Sequence, residues 1–234
     1  QCRSVGIGRR MQRDKIGTAL INQIPGRSPG LYIIRNTPDG EREFFYWRKE
    51  APARELFNTE ASALSLADKL ANVDIVYLSG ITLAIIGENG RRHLQTALKQ
   101  LREKGVRIAF DSNYRPRLWQ NAEEAQEAML QVMQHVDIAL LTLDDELLLW
   151  GDDSAEGCKK RYASFQLKEL VLKRGADDAI VITEGKELRI PVPKVHGVVD
   201  TTGAGDTFNA GYLAGRAQGK SLEESAMLGI RSAG

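Results

Sequence analysis

Along the chain, short apolar runs alternate with longer stretches whose apolar positions recur every three or four residues. Ile75–Leu78, Val106–Phe110, Ile138–Leu141, Leu170–Leu172 and Ala179–Ile182 each have the length of a buried strand. Between them, Leu94, Leu98 and Leu101 repeat at helical spacing before Gly105, and Ala125, Met129, Val132 and Val136 do the same in the next connection. Met129 and Met133 therefore read as core packing. Strand–helix–strand repetition predicts an α/β fold, a parallel sheet with right-handed crossovers and helices on its faces.

The pattern upstream is different. The aromatic and β-branched runs Leu31–Ile34 and Glu43–Arg48 flank Pro38-Asp39-Gly40, which is turn chemistry, and predict an antiparallel hairpin over about residues 31–49. This divides the chain into an N-terminal segment, 1–52, carrying the hairpin as a small lid, and an α/β core, 53–234. Adjacent strand residues face opposite sides, so Tyr46 and Arg48 share a face while Trp47 packs behind them or on a partner copy.

Ligands of such sheets bind at the carboxyl ends of the strands. That rule selects Ser79-Gly80, Asp111-Ser112-Asn113-Tyr114-Arg115, Thr142 with Asp144, Asp145 and Glu146, and Lys173-Arg174-Gly175. Near the C-terminal end, Asp200-Thr201-Thr202-Gly203-Ala204-Gly205-Asp206-Thr207-Phe208 is a glycine-bracketed turn at the start of a helical pattern. Glycines allow close backbone approach, and the free N–H groups of a helix start can cradle an anion. A carboxylate there is repelled by bound phosphate, which is tolerable if Asp206 takes a proton from an attacking hydroxyl. The plainer reading, that Asp206 and Thr207 only cap the helix, leaves unexplained both glycines and the small residues Asn209-Ala210-Gly211 and Ala214-Gly215 after them.

Composition narrows the partners. Thirty-two basic against 31 acidic residues leave a net charge of +1, and hydrophobic residues make up 42%, which describes an ordinary globular protein without a nucleic-acid surface. Cys2 and Cys158 are far apart, and His93, His135 and His196 are scattered, so neither a disulfide framework nor a zinc site is expected. No run resembles a signal peptide or a membrane span, and the expected location is cytoplasmic. The chain starts at Gln1, and Ser221–Gly234 is still helical in pattern at its end, so both ends read as truncated.

The full Walker A pattern, Gly-x-x-x-x-Gly-Lys-Ser/Thr, is absent, and so is a Gly-x-Gly-x-x-Gly opening a first βα turn. The stretch DTTGAGDTFNAGYLAG, from Asp200, resembles the C-terminal signature of the ribokinase-like (PfkB) carbohydrate kinases. PGLYIIR at 29–35, FYWRKEAPAR at 45–54, DSNYRPRLW at 111–119, TLDDELLLWG and VLKRGADDA are similar to the branch of that family that phosphorylates the sugar acid 2-dehydro-3-deoxy-D-gluconate. The resemblance runs from about Ile24 to Gly234. It implies a ribokinase-like core with a β lid and ATP-dependent transfer to the substrate's terminal hydroxyl.

On that resemblance Asp206 is the catalytic base and also touches the substrate, and the N–H groups of Gly203, Ala204 and Gly205 form the anion hole. Tyr32, Tyr46, Trp47 and Arg48 line the sugar-acid pocket from the lid, with Arg115 meeting them from the core. Guanidinium pairs suit a carboxylate, which a neutral sugar lacks. Asn113, Arg115, Thr142, Lys173 and Gly175 border the nucleotide, although Lys-Arg-Gly could equally be an ordinary strand exit. Thr142-Leu143-Asp144-Asp145 departs from the family's Asn-x-x-Glu. Magnesium is implied with ATP, without a protein ligand, and the lid could join two copies of the chain. The family's opening Gly-Gly-Asp or Gly-Gly-Asn region is not visible. A kinase for a neutral sugar or nucleoside, and a non-catalytic sugar- or nucleotide-binding fragment, remain as alternatives.

Overall fold

A computed structural model of the protein describes residues 2–36, 42–151, 154–193 and 202–234. In chain order its elements are α1 (Cys2–Arg13), β1 (Leu31–Asn36), β2 (Arg42–Trp47), α2 (Glu60–Lys69), β3 (Ile75–Ser79), α3 (Gly80–Glu103), β4 (Arg107–Asp111), α4 (Ala122–Met133), β5 (Ile138–Thr142), α5 (Leu143–Trp150), α6 (Ala155–Tyr162), β6 (Glu169–Lys173), β7 (Ala179–Thr183), β8 (Lys186–Ile190), α7 (Ala204–Ala217) and α8 (Leu222–Ala233). The turn residues Pro38-Asp39-Gly40 and the positions Asp200 and Thr201 lie outside the described residues.

The main sheet has the order β3-β4-β5-β6-β7-β8. Strands β3 to β6 are parallel, as the alternation requires, but β7 and β8 run antiparallel. This corrects the all-parallel expectation. Residues 174–178 alone join β6 to β7, too few for a crossover and enough for a hairpin. Strand β8, Lys-Glu-Leu-Arg-Ile, carries charge on the sheet edge and shows no apolar run.

Period-two alternation sorts the strand residues into two cores. Ile108, Phe110, Ala139, Leu141, Leu170, Leu172 and Ile180 pack with α2 to α6, Met129 and Met133 among them. Ala109, Ile138, Leu140, Val171, Ala179, Val181 and Ile190 face the other side, against Phe208, Tyr212, Ala226 and Ile230 of α7 and α8. Helices α7 and α8 approach closely because they meet at glycines: a Cβ on Gly211 would lie 2.8 Å from the Cα of Gly229. The result is a helix–sheet–helix sandwich with α7 held down over the strand ends.

The lid is a separate two-stranded sheet with Tyr32 opposite Tyr46 and Leu31 opposite Trp47. Its apolar face, Leu31, Ile33, Phe45 and Trp47, is 40 to 59% exposed. No helix among the described residues is long and apolar enough to cross a membrane.

Candidate active site at the strand ends

The carboxyl ends of the parallel strands meet under the first turn of α7. Gly203 takes a left-handed conformation, φ 79°, immediately before the helix, a geometry that favours glycine. The first helical bond runs from Thr207 N–H to Gly203 O at 2.8 Å, and the Thr207 hydroxyl donates to the same carbonyl at 2.8 Å. The Ala204 and Gly205 N–H groups precede that ladder and point out along the axis. Asp206 sits exposed in this first turn.

Below the turn lies a buried polar network. The Lys173 ammonium donates to Asn209 Oδ1 at 2.9 Å and lies 3.6 Å from Asp111 Oδ2. Asn209 Nδ2 donates to Asp111 Oδ2 at 2.8 Å and to the Tyr77 hydroxyl at 3.3 Å. Burial pushes the Lys173 pKa down, opposed by Asp111, Asp145 and Asp206, while burial and then Asp111 push the Tyr77 hydroxyl well up. The ammonium would be 3.7 Å from a Cβ on Gly205, so it stands directly behind the N–H turn.

Around this network the structure places the other candidates unevenly. Asn113 has a positive φ of 31°, its N–H donates to Asp111 Oδ1 at 3.2 Å, and its buried Oδ1 has no hydrogen-bond partner. Thr142 ends β5 and precedes α5 without capping it through its side chain. Gly175 occupies the β6–β7 turn with φ 62°, a turn closed by Arg174 ion pairs to Asp178 at 2.7 Å and Asp177 at 3.4 Å. Arg115 donates to Asp145 Oδ1 at 3.1 Å and to Tyr114 O at 2.7 Å, so its charge is already partly matched. Burial raises the Asp145 pKa, and Arg115 opposes that shift.

Glu146, which the sequence selected by its place beyond β5, belongs to a buried cluster with Tyr162 and Arg161. It is fully buried, accepts from the Tyr162 hydroxyl at 2.8 Å and lies 3.6 Å from Arg161. Its Oε1 has no hydrogen-bond partner, and neither does the buried hydroxyl of Ser112, which lies close enough to influence it without reaching hydrogen-bond geometry. Burial pushes the Glu146 pKa up to about 7 against the weaker pull of Tyr162, Ser112 and Arg161.

In the lid, Tyr32 and Tyr46 stand 6.2 Å apart, and the Arg48 guanidinium lies 4.3 Å from the Tyr46 ring centre. Trp47 faces the other side, 59% exposed. Arg117 reaches the same Tyr46 ring from the core, at 5.7 Å. Sequence reading passed over Arg117, two residues beyond Arg115; the Pro116 turn carries it toward the lid.

A sequence model described as pfkB family carbohydrate kinase matches residues 6–234. The chain belongs to this family. It is 44% identical over 220 residues to the 2-dehydro-3-deoxygluconokinase of Escherichia coli (strain K12), covering 92% of this chain and 71% of that relative. It is 42% identical to the enzyme of the same name from Haemophilus influenzae, with 95% and 71% covered. Among solved structures, a PfkB protein from Polaromonas sp. JS666 matches with TM-score 0.83 at 22% identity, over 97% of this chain and 73% of that one. The 2-dehydro-3-deoxygluconokinase of Thermotoga maritima matches with TM-score 0.75 at 23%, over 95% and 71%. The structural likenesses carry the fold, and family membership makes the chain a carbohydrate kinase that uses ATP.

Proposed function

We propose that the protein transfers the terminal phosphoryl group of ATP to the terminal hydroxyl of 2-dehydro-3-deoxy-D-gluconate. The observation that carries the reading is the N–H turn at Gly203–Gly205, backed by the Lys173 ammonium and followed at once by an exposed Asp206. Asp206 takes the proton from the acceptor hydroxyl as its oxygen attacks phosphorus, and the ADP oxygen leaves in line. The Gly203, Ala204 and Gly205 N–H groups and Lys173 meet the charge that gathers on the equatorial oxygens.

The lid supplies specificity. Arg48 and Arg117 converge on the Tyr46 ring, and no ion pair to another described residue accounts for either guanidinium. Two unneutralised cations at one ring suit an anionic group, here the substrate carboxylate, with Tyr32 and Tyr46 on the sugar chain. Arg115 joins from the core by exchanging Asp145 for substrate or nucleotide. Asn113, Thr142 and Gly175 border the nucleotide at the strand ends.

Magnesium accompanies the nucleotide, held by its phosphates and water. Among the described residues no group of three or more His, Cys, Asp or Glu side chains is gathered that could hold a metal ion. A second copy of the chain covers the apolar outer face of the lid. The test is ADP release from magnesium-ATP with 2-dehydro-3-deoxygluconate or fructose as acceptor. Turnover of the sugar acid is expected; turnover of fructose alone would overturn the specificity, and turnover of neither would leave a binding fragment.

A further inference from the structure

One side chain of α7 ties the helix to three strands. Asn209 is buried, three residues after Asp206, and so lies on the neighbouring face of the same turn. Its partners fix its orientation without ambiguity. An ammonium only donates and an ionised carboxylate only accepts, so the amide oxygen must face Lys173 at the end of β6 and the nitrogen must face Asp111 at the end of β4. The second N–H reaches the Tyr77 hydroxyl on β3.

The position of the ammonium needs this support. A helix start carries partial positive charge, so a buried cation behind it is of the wrong sign and would turn away. Asp111 and Asn209 hold it there, and an anion in front of the turn is what both the cation and the N–H groups would then attract.

We propose that Asn209 is a positioning residue for phosphoryl transfer: it keeps Lys173 and the start of α7 in one register, so that ammonium and N–H turn address the same phosphate. This rests on the kinase reading above. Tyr77 serves the same end by holding Asp111 from β3, with its hydroxyl 3.4 Å from Oδ2.

The test compares wild type, Asn209→Ala and Asn209→Asp in magnesium-ATP turnover with the sugar acid and in binding of a non-hydrolysable ATP analogue. For Asn209→Ala, kcat should fall about 30-fold, with the KM for the sugar acid changed less than about threefold, the pattern of a lost transition-state alignment. Asn209→Asp keeps an oxygen for Lys173 but sets a carboxylate against Asp111. The charged and titratable groups facing that site are Tyr77 from β3, Asp111 from β4, Lys173 from β6, Asp206 from α7 and Asp145 from α5. Two carboxylates at that distance share a proton, and the shared proton restores a hydrogen bond. The ratio of its kcat to that of wild type should therefore rise about tenfold from pH 8 to pH 6.

A merely structural Asn209 would lower the melting temperature of Asn209→Ala while leaving its kcat below that temperature, and the pH ratio of Asn209→Asp, unchanged; that result overturns the proposal. If wild type turns over no acceptor, the kinase reading fails, and the proposal is still read in the analogue. Binding about tenfold weaker in Asn209→Ala supports it, and equal binding overturns it.

Discussion

Replacing Glu146 by Gln should make the protein more stable, and increasingly so as the pH rises. Glu146 is fully buried at the start of α5, and one of its oxygens has no hydrogen-bond partner. Burial raises its pKa from the ordinary 4.5 to about 7. A carboxyl whose pKa is raised in the fold contributes its full stability below the unfolded value, and loses it as the pH rises through the folded one. The loss therefore begins near pH 4.5 and is complete just above pH 7, at about 1.4 kcal/mol per unit, or about 3 kcal/mol in all. Glutamine is neutral throughout and keeps an oxygen for the Tyr162 hydroxyl. Glu146→Gln should match wild type near pH 4.5 and exceed it by about 3 kcal/mol at pH 8, or about 6–12 °C in melting temperature for a chain of this size. Thermal melts of both proteins at several pH values from 4.5 to 8 decide it. A difference independent of pH would refute the reasoning, because it would mean that Glu146 is ionised in the fold throughout.

Other expectations follow from the same geometry. Arg117→Ala should raise the KM for the sugar acid about tenfold, equivalent to about 1.4 kcal/mol, with little change in kcat, because losing the guanidinium beside Tyr46 leaves the substrate carboxylate with fewer donors; steady-state kinetics with the sugar acid and with a neutral sugar separate this from a general loss. Gly211→Ala should cost about 1–3 kcal/mol in chemical denaturation, since its Cβ would meet backbone atoms that cannot swing aside, the Gly229 Cα at 2.8 Å and the Leu228 carbonyl at 2.9 Å. Glu169→Ala should cost about 3 kcal/mol in the same measurement, as it strands the Arg216 guanidinium, 2.8 Å from Glu169 Oε1, and the buried Tyr212 hydroxyl, 2.7 Å from Oε2.

Periodicity made most of this architecture legible. The five apolar runs are strands, and the alternation inside them places Leu140 and Leu141 in different cores. The direction of β7 was not legible as an apolar run, since Ala179–Ile182 reads the same in either direction; the short turn before it was the available signal. Strand β8 escaped because an edge strand is charged by design. Helix α1 escaped because its sequence, Cys-Arg-Ser-Val-Gly-Ile-Gly-Arg-Arg-Met-Gln-Arg, holds two glycines and few apolar positions.

The candidate site divides along similar lines. Backbone chemistry was readable, because Gly203 and Gly205 announce a turn that only a few residue types can make. Side-chain networks were not. Asn209 looked like one more small residue of a helix that packs closely, and Tyr77 like one more apolar strand residue, whereas both donate to Asp111. Spacing does hold a clue, since a residue three positions after Asp206 lies on the adjoining helix face. Arg115 was singled out for standing at a strand end, yet the core arginine that joins Arg48 at the Tyr46 ring is Arg117, and only the course of the chain through Pro116 distinguishes them.

The most direct measurement of the central claim is the fate of the phosphoryl group when wild type and Asp206→Asn are given magnesium-ATP and 2-dehydro-3-deoxygluconate, followed by phosphorus NMR of the product. Wild type should yield a monoester on the terminal carbon, and Asp206→Asn should bind the sugar acid normally while losing about a thousandfold or more in kcat, the scale of a missing base. Near-normal turnover in Asp206→Asn, or a phosphate on any other hydroxyl, would contradict the account.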